Sequence, residues 1–224
     1  MPYDDELSEL RTQVREMADL VVDRFTAATE ALTSRSQPLA TRVLEGDGEI
    51  NALQMKIDER CLRLLEQQQP SGRDLRLLVA CIKINADLER MGDQAVNIAG
   101  HALRLSYQPP LQLALDLTTM TRVVEWMVHE AILAFEAMDV VRAERVMLRD
   151  DEVDQMKEQH FLSLLASMVA DRESIERALG FVLVTRNLER IADHATNIAE
   201  DVIFCVEGRD VRHGERREVR DSRT

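Results

Sequence analysis

Residues 87–99 read DLERMGDQAVNIA and residues 187–199 read NLERIADHATNIA. At this offset of 100 positions, eight of the thirteen residues are identical. Both copies hold Glu-Arg-x-x-Asp-x-x-x-Asn, as Glu89, Asp93 and Asn97 and again as Glu189, Asp193 and Asn197. Residues four apart on a helix stand above one another, so each copy is a column of side-chain oxygens. Such columns suit hard cations such as Mg²⁺, Mn²⁺, Ca²⁺ or iron, which take oxygen ligands. Two further pairs keep the same spacing, Asp47 with Asn51 and Asp150 with Asp154. Asp47 continues an apolar stripe through Val43, Ile50 and Ile57, and Asp150 one through Val146 and Val153. An acid at a core-facing position is costly unless it is paired, hydrogen-bonded or bound to metal. Asp47, Asn51, Glu89 and Asp93 therefore form one candidate cage, and Asp150, Asp154, Glu189 and Asp193 the other. Four carboxylates against three and an amide predict tighter binding at the second.

Other chemistry is poorly supplied. Di-iron bundle enzymes use Glu-x-x-His, but Gly92 and Ala192 stand three residues after the motif glutamates. His194 follows Asp193, yet the other copy has Gln94 there, and the five histidines share no ligand spacing. There is no nucleophile elbow, phosphate-cradling loop or Cys/His pair, so catalysis is not expected. Cys61, Cys81 and Cys205 are isolated within helical patterns, which points to buried thiols in a reducing cytosol. A charged column on a helix is ordinarily just a solvated face. Against that, carboxylates one turn apart repel by about 0.2–0.5 kcal/mol even when exposed, and here the cost recurs at equivalent places.

The elements that must position these residues are helical. The chain has 224 residues, 45% hydrophobic and only 4% aromatic, a composition typical of helical bundles. Apolar residues in the first motif run Ile84, Leu88, Met91, Ala95, Ile98, and in the second Val184, Leu188, Ile191, Ala195, Ile198. Steps of four and three make a heptad seam. Six long helices follow from this periodicity. The first spans about Asp4 to Ser34. The second starts at the N-cap Ser36 and continues to about Gln69, with a bend near Asp47 between Gly46 and Gly48. The third runs from a capping box at Ser71 and Asp74 to about Ser106. The fourth starts at Pro109-Pro110, the fifth runs from Asp139 to about Ala170, and the sixth opens at Asp171 and stops at Gly208. The expected fold is all-α, a tandem repeat of two three-helix bundles, residues 1–108 and 109–208, with a charged tail at 209–224.

The net charge of −13 argues against nucleic acid as a partner, because phosphate backbones would repel it. The N-terminus lacks the basic and apolar regions of a signal peptide. No apolar run approaches the ~20 residues of a membrane span. A cytoplasmic protein without direct membrane insertion is expected.

The chain resembles the PhoU family over nearly its whole length. The resemblance rests on Leu-Glu-Arg-x-x-Asp at 88–93 and 188–193, VLEGDGEIN at 43–51, IDERCLRLL at 57–65, QPSGRDLR at 69–76 and GRDVRHGE at 208–215. It implies a fold of two three-helix bundles. It implies metal clusters (Mg, Mn, Fe or Zn) bound through Glu/Asp-x-x-x-Asp, which map onto Glu89 with Asp93, Glu189 with Asp193, Asp150 with Asp154, and Asp47 with Asn51. The last departs from the pattern by an amide. It further implies regulation rather than catalysis. The expected role is a negative regulator of high-affinity phosphate uptake and of the phosphate-starvation response, placed between the ATPase subunit of the phosphate ABC transporter and a sensor histidine kinase. A homodimer is implied as well. The alternative from the residues alone is a metal-storage bundle or a metal-dependent carboxylate enzyme.

Overall fold

The computed structural model describes residues 3–46, 48–111, 113 and 115–212, and among them there are helices and no strands. The long helices are α1 (Tyr3–Ser34), α3 (Gly48–Gln68), α4 (Gly72–Ser106), α5 (Leu117–Ala137), α7 (Asp150–Ala170) and α8 (Ile175–Glu207). Two short helices, α2 (Gln37–Glu45) and α6 (Val140–Met147), precede α3 and α7, and a single 3₁₀ turn, Arg172–Ser174, precedes α8. The expected six helices are all present, but the second and the fifth are each broken in two.

The break between α2 and α3 falls at Gly46, which caps α2, where paired glycines weaken the helix by about 1 kcal/mol each relative to alanine. The break between α6 and α7 has no glycine, and the expected unbroken helix over Asp139–Ala170 is corrected. Leu148 still donates to the Glu144 carbonyl four residues back, but Arg149 donates to that of Val146, three back, so the last turn tightens and the α-helical ladder is interrupted. Arg149 is fixed there by a 2.8 Å ion pair to Glu152 and by the Trp126 ring 4.8 Å away. Both breaks sit at the same place in the repeat. Ser36 and Asp139, which cap α2 and α6, are 103 residues apart, whereas the motifs on α4 and α8 are 100 apart. The three-residue difference is taken up in the α3–α4 and α7–α8 connections.

The caps hold in part. Ser36 and Asp139 accept hydrogen bonds from Leu39 and Arg142 backbone N–H groups, satisfying donors at helix starts. Ser71 makes no such bond, so the expected capping box is absent. Asp171 caps the 3₁₀ turn by accepting from Glu173 at 2.9 Å. The fourth helix starts at Leu117, capped by Asp116, rather than at Pro109-Pro110. Before it, Arg35 reaches across from the end of α1 to the carbonyls of Leu105, Ser106 and Gln108. Gly208 ends α8 at φ 71°, a left-handed conformation that glycine adopts without a Cβ clash.

α4 and α8 lie at the centre, packed on each other more extensively than any other pair. They run antiparallel: Lys83 meets Asp201, Asp87 meets His194 and Asn197, and Leu105 lies against Gly180. α1, α2 and α3 cover α4 on one side, and α5, α6 and α7 cover α8 on the other. The seam residues Leu88, Met91, Ala95, Leu188, Ile191 and Ala195 are all buried in one continuous core. Burial contributes roughly 1.5–3 kcal/mol for each large apolar side chain.

Candidate functional site

On α8, the column Glu189–Asp193 faces the start of α7. Lys157 Nζ donates to Asp154 Oδ1 and to Glu189 Oε1, each at 2.7 Å. The two carboxylates therefore share one cation, and the Lys157 pKa is raised, its two carboxylate partners outweighing the opposing effect of burial. Thr196 on α8 donates to Asp150 Oδ1 at 3.4 Å. Asp193 has its carboxyl pushed up to about 6, first by partial burial and then by the charges of Glu189, Asp150 and Asp154. The residue as a whole stays exposed, so water screens part of that shift. The charges of the other three acids predicted for the second site thus bear on Asp193 across the α7–α8 groove.

On α4, Glu89 is half-buried and Asp93 is exposed, and Asn51 on α3 is exposed too. Asp47, the fourth residue predicted there, lies outside the described residues. The cation beside this column comes from another helix. Arg24 of α1 donates to the Gly46 carbonyl, and its guanidinium lies 3.9 Å from where a Cβ on Gly92 would sit, in the turn between Glu89 and Asp93. Its counterpart in the second half, 103 residues on, is the buried Met127.

The donor chemistry of the second site, four carboxylates, fits a hard cation. The arrangement does not hold one as it stands. Two of the four acids are tied to Lys157, and among the described residues no three His, Cys, Asp or Glu side chains are gathered for a metal ion.

A second polar cluster escaped the sequence reading. Asp87, buried at 7% exposure, accepts from His194 Nδ1 at 2.8 Å and from Asn197 Nδ2 at 3.2 Å across the α4–α8 interface. One turn away on α4, Lys83 pairs with the buried Asp201. Burial raises the Asp201 pKa, against the opposing pull of Lys83. The signal was present: positions 87/187 and 94/194 are where the motif copies differ by polar type. The related positions Asn187 and Gln94 lack the charge, and Gln94 Oε1 is buried without a hydrogen-bond partner among the described residues. Asn97 is exposed, and Asn197 serves Asp87, so the third residue of each column belongs to neither cage.

The thiols of Cys61, Cys81 and Cys205 are buried and free. Burial pushes Cys61 up to about 12, which leaves it as an unreactive thiol.

A family model described as the PhoU domain matches residues 14–102 and 117–202. The phosphate-specific transport system accessory protein PhoU of Serratia marcescens is 37% identical over 211 residues, covering 94% of this chain and 87% of the relative. The PhoU homolog of Aquifex aeolicus is 39% identical over 208 residues, covering 93% and 94%. The crystal structure of PhoU from Pseudomonas aeruginosa superposes with a TM-score of 0.90 at 36% identity, covering 92% of this chain and all of that one. These relatives are named as accessory proteins of transport, not as enzymes. Two matched repeats, one on each bundle, place this chain in the PhoU family.

Proposed function

We propose that the protein is an accessory regulator of phosphate-specific transport. It restrains high-affinity uptake and keeps the phosphate-starvation response off when phosphate is plentiful. In this reading it is a cytoplasmic homodimer that bridges the transporter's ATPase subunit and a sensor histidine kinase. The observation that carries the reading is the match to PhoU accessory proteins over nearly the full length, in both repeats. The physical setting agrees with it. No helix among the described residues is long and apolar enough to cross a membrane. The acidic charge is suited to basic patches on partner proteins.

The carboxylate columns have a part in this reading. Asp150, Asp154, Glu189 and Asp193 would hold a divalent or ferric ion once Lys157 swings out, and Glu89, Asp93, Asn51 and Asp47 would hold a weaker one. A bound ion would neutralise repelling acids and stabilise the folded bundle by mass action.

The test is a reporter driven by a phosphate-starvation promoter. In replete medium, deletion is expected to leave the reporter on, and complementation to turn it off. A deletion strain that stays repressed removes the regulatory reading. Melts with and without Mn²⁺ test the metal separately; an unchanged Tm removes it and leaves the regulatory reading intact.

A further inference from the structure

We propose that the outer face of α7, with the adjoining edge of α8, docks an amphipathic helix of a partner protein that carries Lys or Arg beside its apolar residues. The proposal rests on the accessory-regulator reading for the existence of a partner, and adds the surface and the chemistry that receive it.

Phe161, Leu162, Leu165 and Val169 are 47%, 57%, 44% and 80% exposed. At 100° per residue they fall within about 100° of arc, so they form one stripe. The α8 edge adds Ile175 and Leu179, at 45% and 51% exposure. Towards its N-terminus the same α7 face becomes acidic, with Asp151, Asp154 and Glu158 all exposed. Phe161 and Val182 line the α7–α8 groove together with those acids and with Lys157 and Arg186, so the apolar and charged stretches are continuous. Asp151 and Glu158 carry the acidity that Lys157 leaves after pairing with Asp154.

The other half of the molecule is an internal control. Adding the 103-residue offset, Phe161, Leu162 and Val169 correspond to Asp58, Glu59 and Glu66 of α3, while Leu165 corresponds to Leu62, itself exposed. Four apolar residues in one repeat thus stand against a single leucine among three acids in the other, so the bundle does not require a continuous apolar exterior there. Contiguous exposed apolar surface with a polar rim marks an interaction site.

Charge selects the occupant. A strip that is acidic at one end and apolar at the other complements a helix with basic residues at one end and apolar ones at the other. A second copy fits poorly. Antiparallel self-pairing lays the acids on the apolar end, and parallel self-pairing lays acid on acid. An anionic membrane surface is repelled by the acidic end.

The test uses the full chain and two probes. The first is a Leu/Lys amphipathic helical peptide with its lysines at one end, followed by fluorescence anisotropy at low and high salt. The second is the purified ATPase subunit of the phosphate transporter from the same organism. The variants are Leu165→Glu with Val169→Glu, and Leu62→Glu on α3 as control; all three positions are exposed, and unchanged melts check folding. The double variant is expected to bind the peptide at least tenfold more weakly, the control to bind as wild type, and salt to weaken binding. Equal binding by the double variant, equal loss in the control, or no binding by the wild type overturns the proposal. So does sedimentation showing a wild-type dimer that the double variant splits. If the ATPase subunit binds wild type and double variant alike, the docking surface is wrong and the regulator reading stands. If the peptide behaves as expected and the ATPase subunit binds neither protein, the surface stands and the transporter reading falls.

Discussion

The two halves of this molecule carry the same motif on the same helix and surround it differently. In the first half the cation beside Glu89 and Asp93 is Arg24, from α1. In the second, the cation beside Glu189 and Asp193 is Lys157, from α7; the position related to Lys157 is Gln54. Asn51 stands where Asp154 stands, and Ile57 where His160 stands. Duplication preserved the residues that face the seam and the column, because both bundles need them. The compensating charge was free to come from whichever neighbouring helix offers it.

The largest difference lies between the helices, at the α4–α8 interface. His194→Ala leaves the buried Asp87 with Asn197 alone, and losing the partner of a buried acceptor costs about 1–3 kcal/mol. For a chain of this size, that lowers Tm by about 2–4 °C per kcal/mol. Gln94→Ala, at the related position, removes a group whose carbonyl oxygen has no partner among the described residues, and is expected to cost less than about 0.5 kcal/mol. Paired melts check this. Equal losses at the two positions would show that the interface treats its two sides alike.

Next comes the cation of the second site. In metal-free protein, Lys157→Met removes one positive charge from four acids and is expected to lower stability by about 1 kcal/mol, the scale of a partly exposed ion pair. With Mn²⁺ present the sign reverses, because the ion no longer competes with Lys157. Calorimetric titration should show tighter Mn²⁺ binding by the variant than by wild type. Gln54→Met, in the first half, should change neither quantity. Unchanged affinity in the Lys157 variant would mean that the lysine lies outside the ion's path.

What the sequence made legible follows from which interactions are periodic. The heptad seam, the oxygen columns and the tandem repeat are all repeating patterns, and the structure shows the seam buried and Glu189 joined to Asp154 through Lys157. The helix break at Leu148-Arg149 was invisible because no glycine or proline marks it; Arg149 there meets Glu152 locally and Trp126 of α5, the second a contact between helices. Lys157 was missed because, as an i,i+3 neighbour of Asp154, it reads as an ordinary surface pair, and its second partner, Glu189, is 32 residues away. His194 stands out in the sequence only as an unmatched metal-ligand candidate, with Gln94 in the other copy, and no spacing marks Asp87. Only the antiparallel register of α4 on α8 makes them a pair.

A pH response is expected at the second column. Asp193 holds its proton to about 6 in the folded chain, against an ordinary 3.8. A carboxyl whose folded pKa is raised favours the folded state while protonated, below about pH 4. That contribution is lost as pH rises from about 4 to about 6. Asp193→Asn removes the ionised form, so the variant should exceed wild type in stability at pH 7. The gain should shrink to nothing towards pH 4. With water screening part of the shift, it should stay near or below about 1 kcal/mol. Urea denaturation of metal-free protein at both pH values measures it. A gain that does not depend on pH would place its origin outside the titration of Asp193.

The smallest effect sits beneath the columns, where the two halves fill one space in different ways. Gly92 on α4 packs against Ile50 on α3, and a Cβ added to Gly92 would come 3.0 Å from Ile50 Cδ1. At the related positions the second half has Ala192 and Val153, both buried at 1% exposure. The methyl that the first half carries on α3 is carried on α8 in the second. Gly92→Ala gains up to about 1 kcal/mol of helix propensity. It loses part of that in pushing Cδ1, the mobile end of a side chain, out of the way. Ile50→Val alone opens a small void and should cost about 0.5–1.5 kcal/mol. Together the new methyl takes the space that Cδ1 vacates, so the double variant should be at least as stable as wild type. The coupling between the two sites should reach about 0.5 kcal/mol or more. The reverse exchange, Ala192→Gly with Val153→Ile, should couple with the same sign. Strict additivity in both halves would mean that the contact does not set the spacing of α3 on α4, and that glycine at 92 answers to something other than the close approach of Ile50.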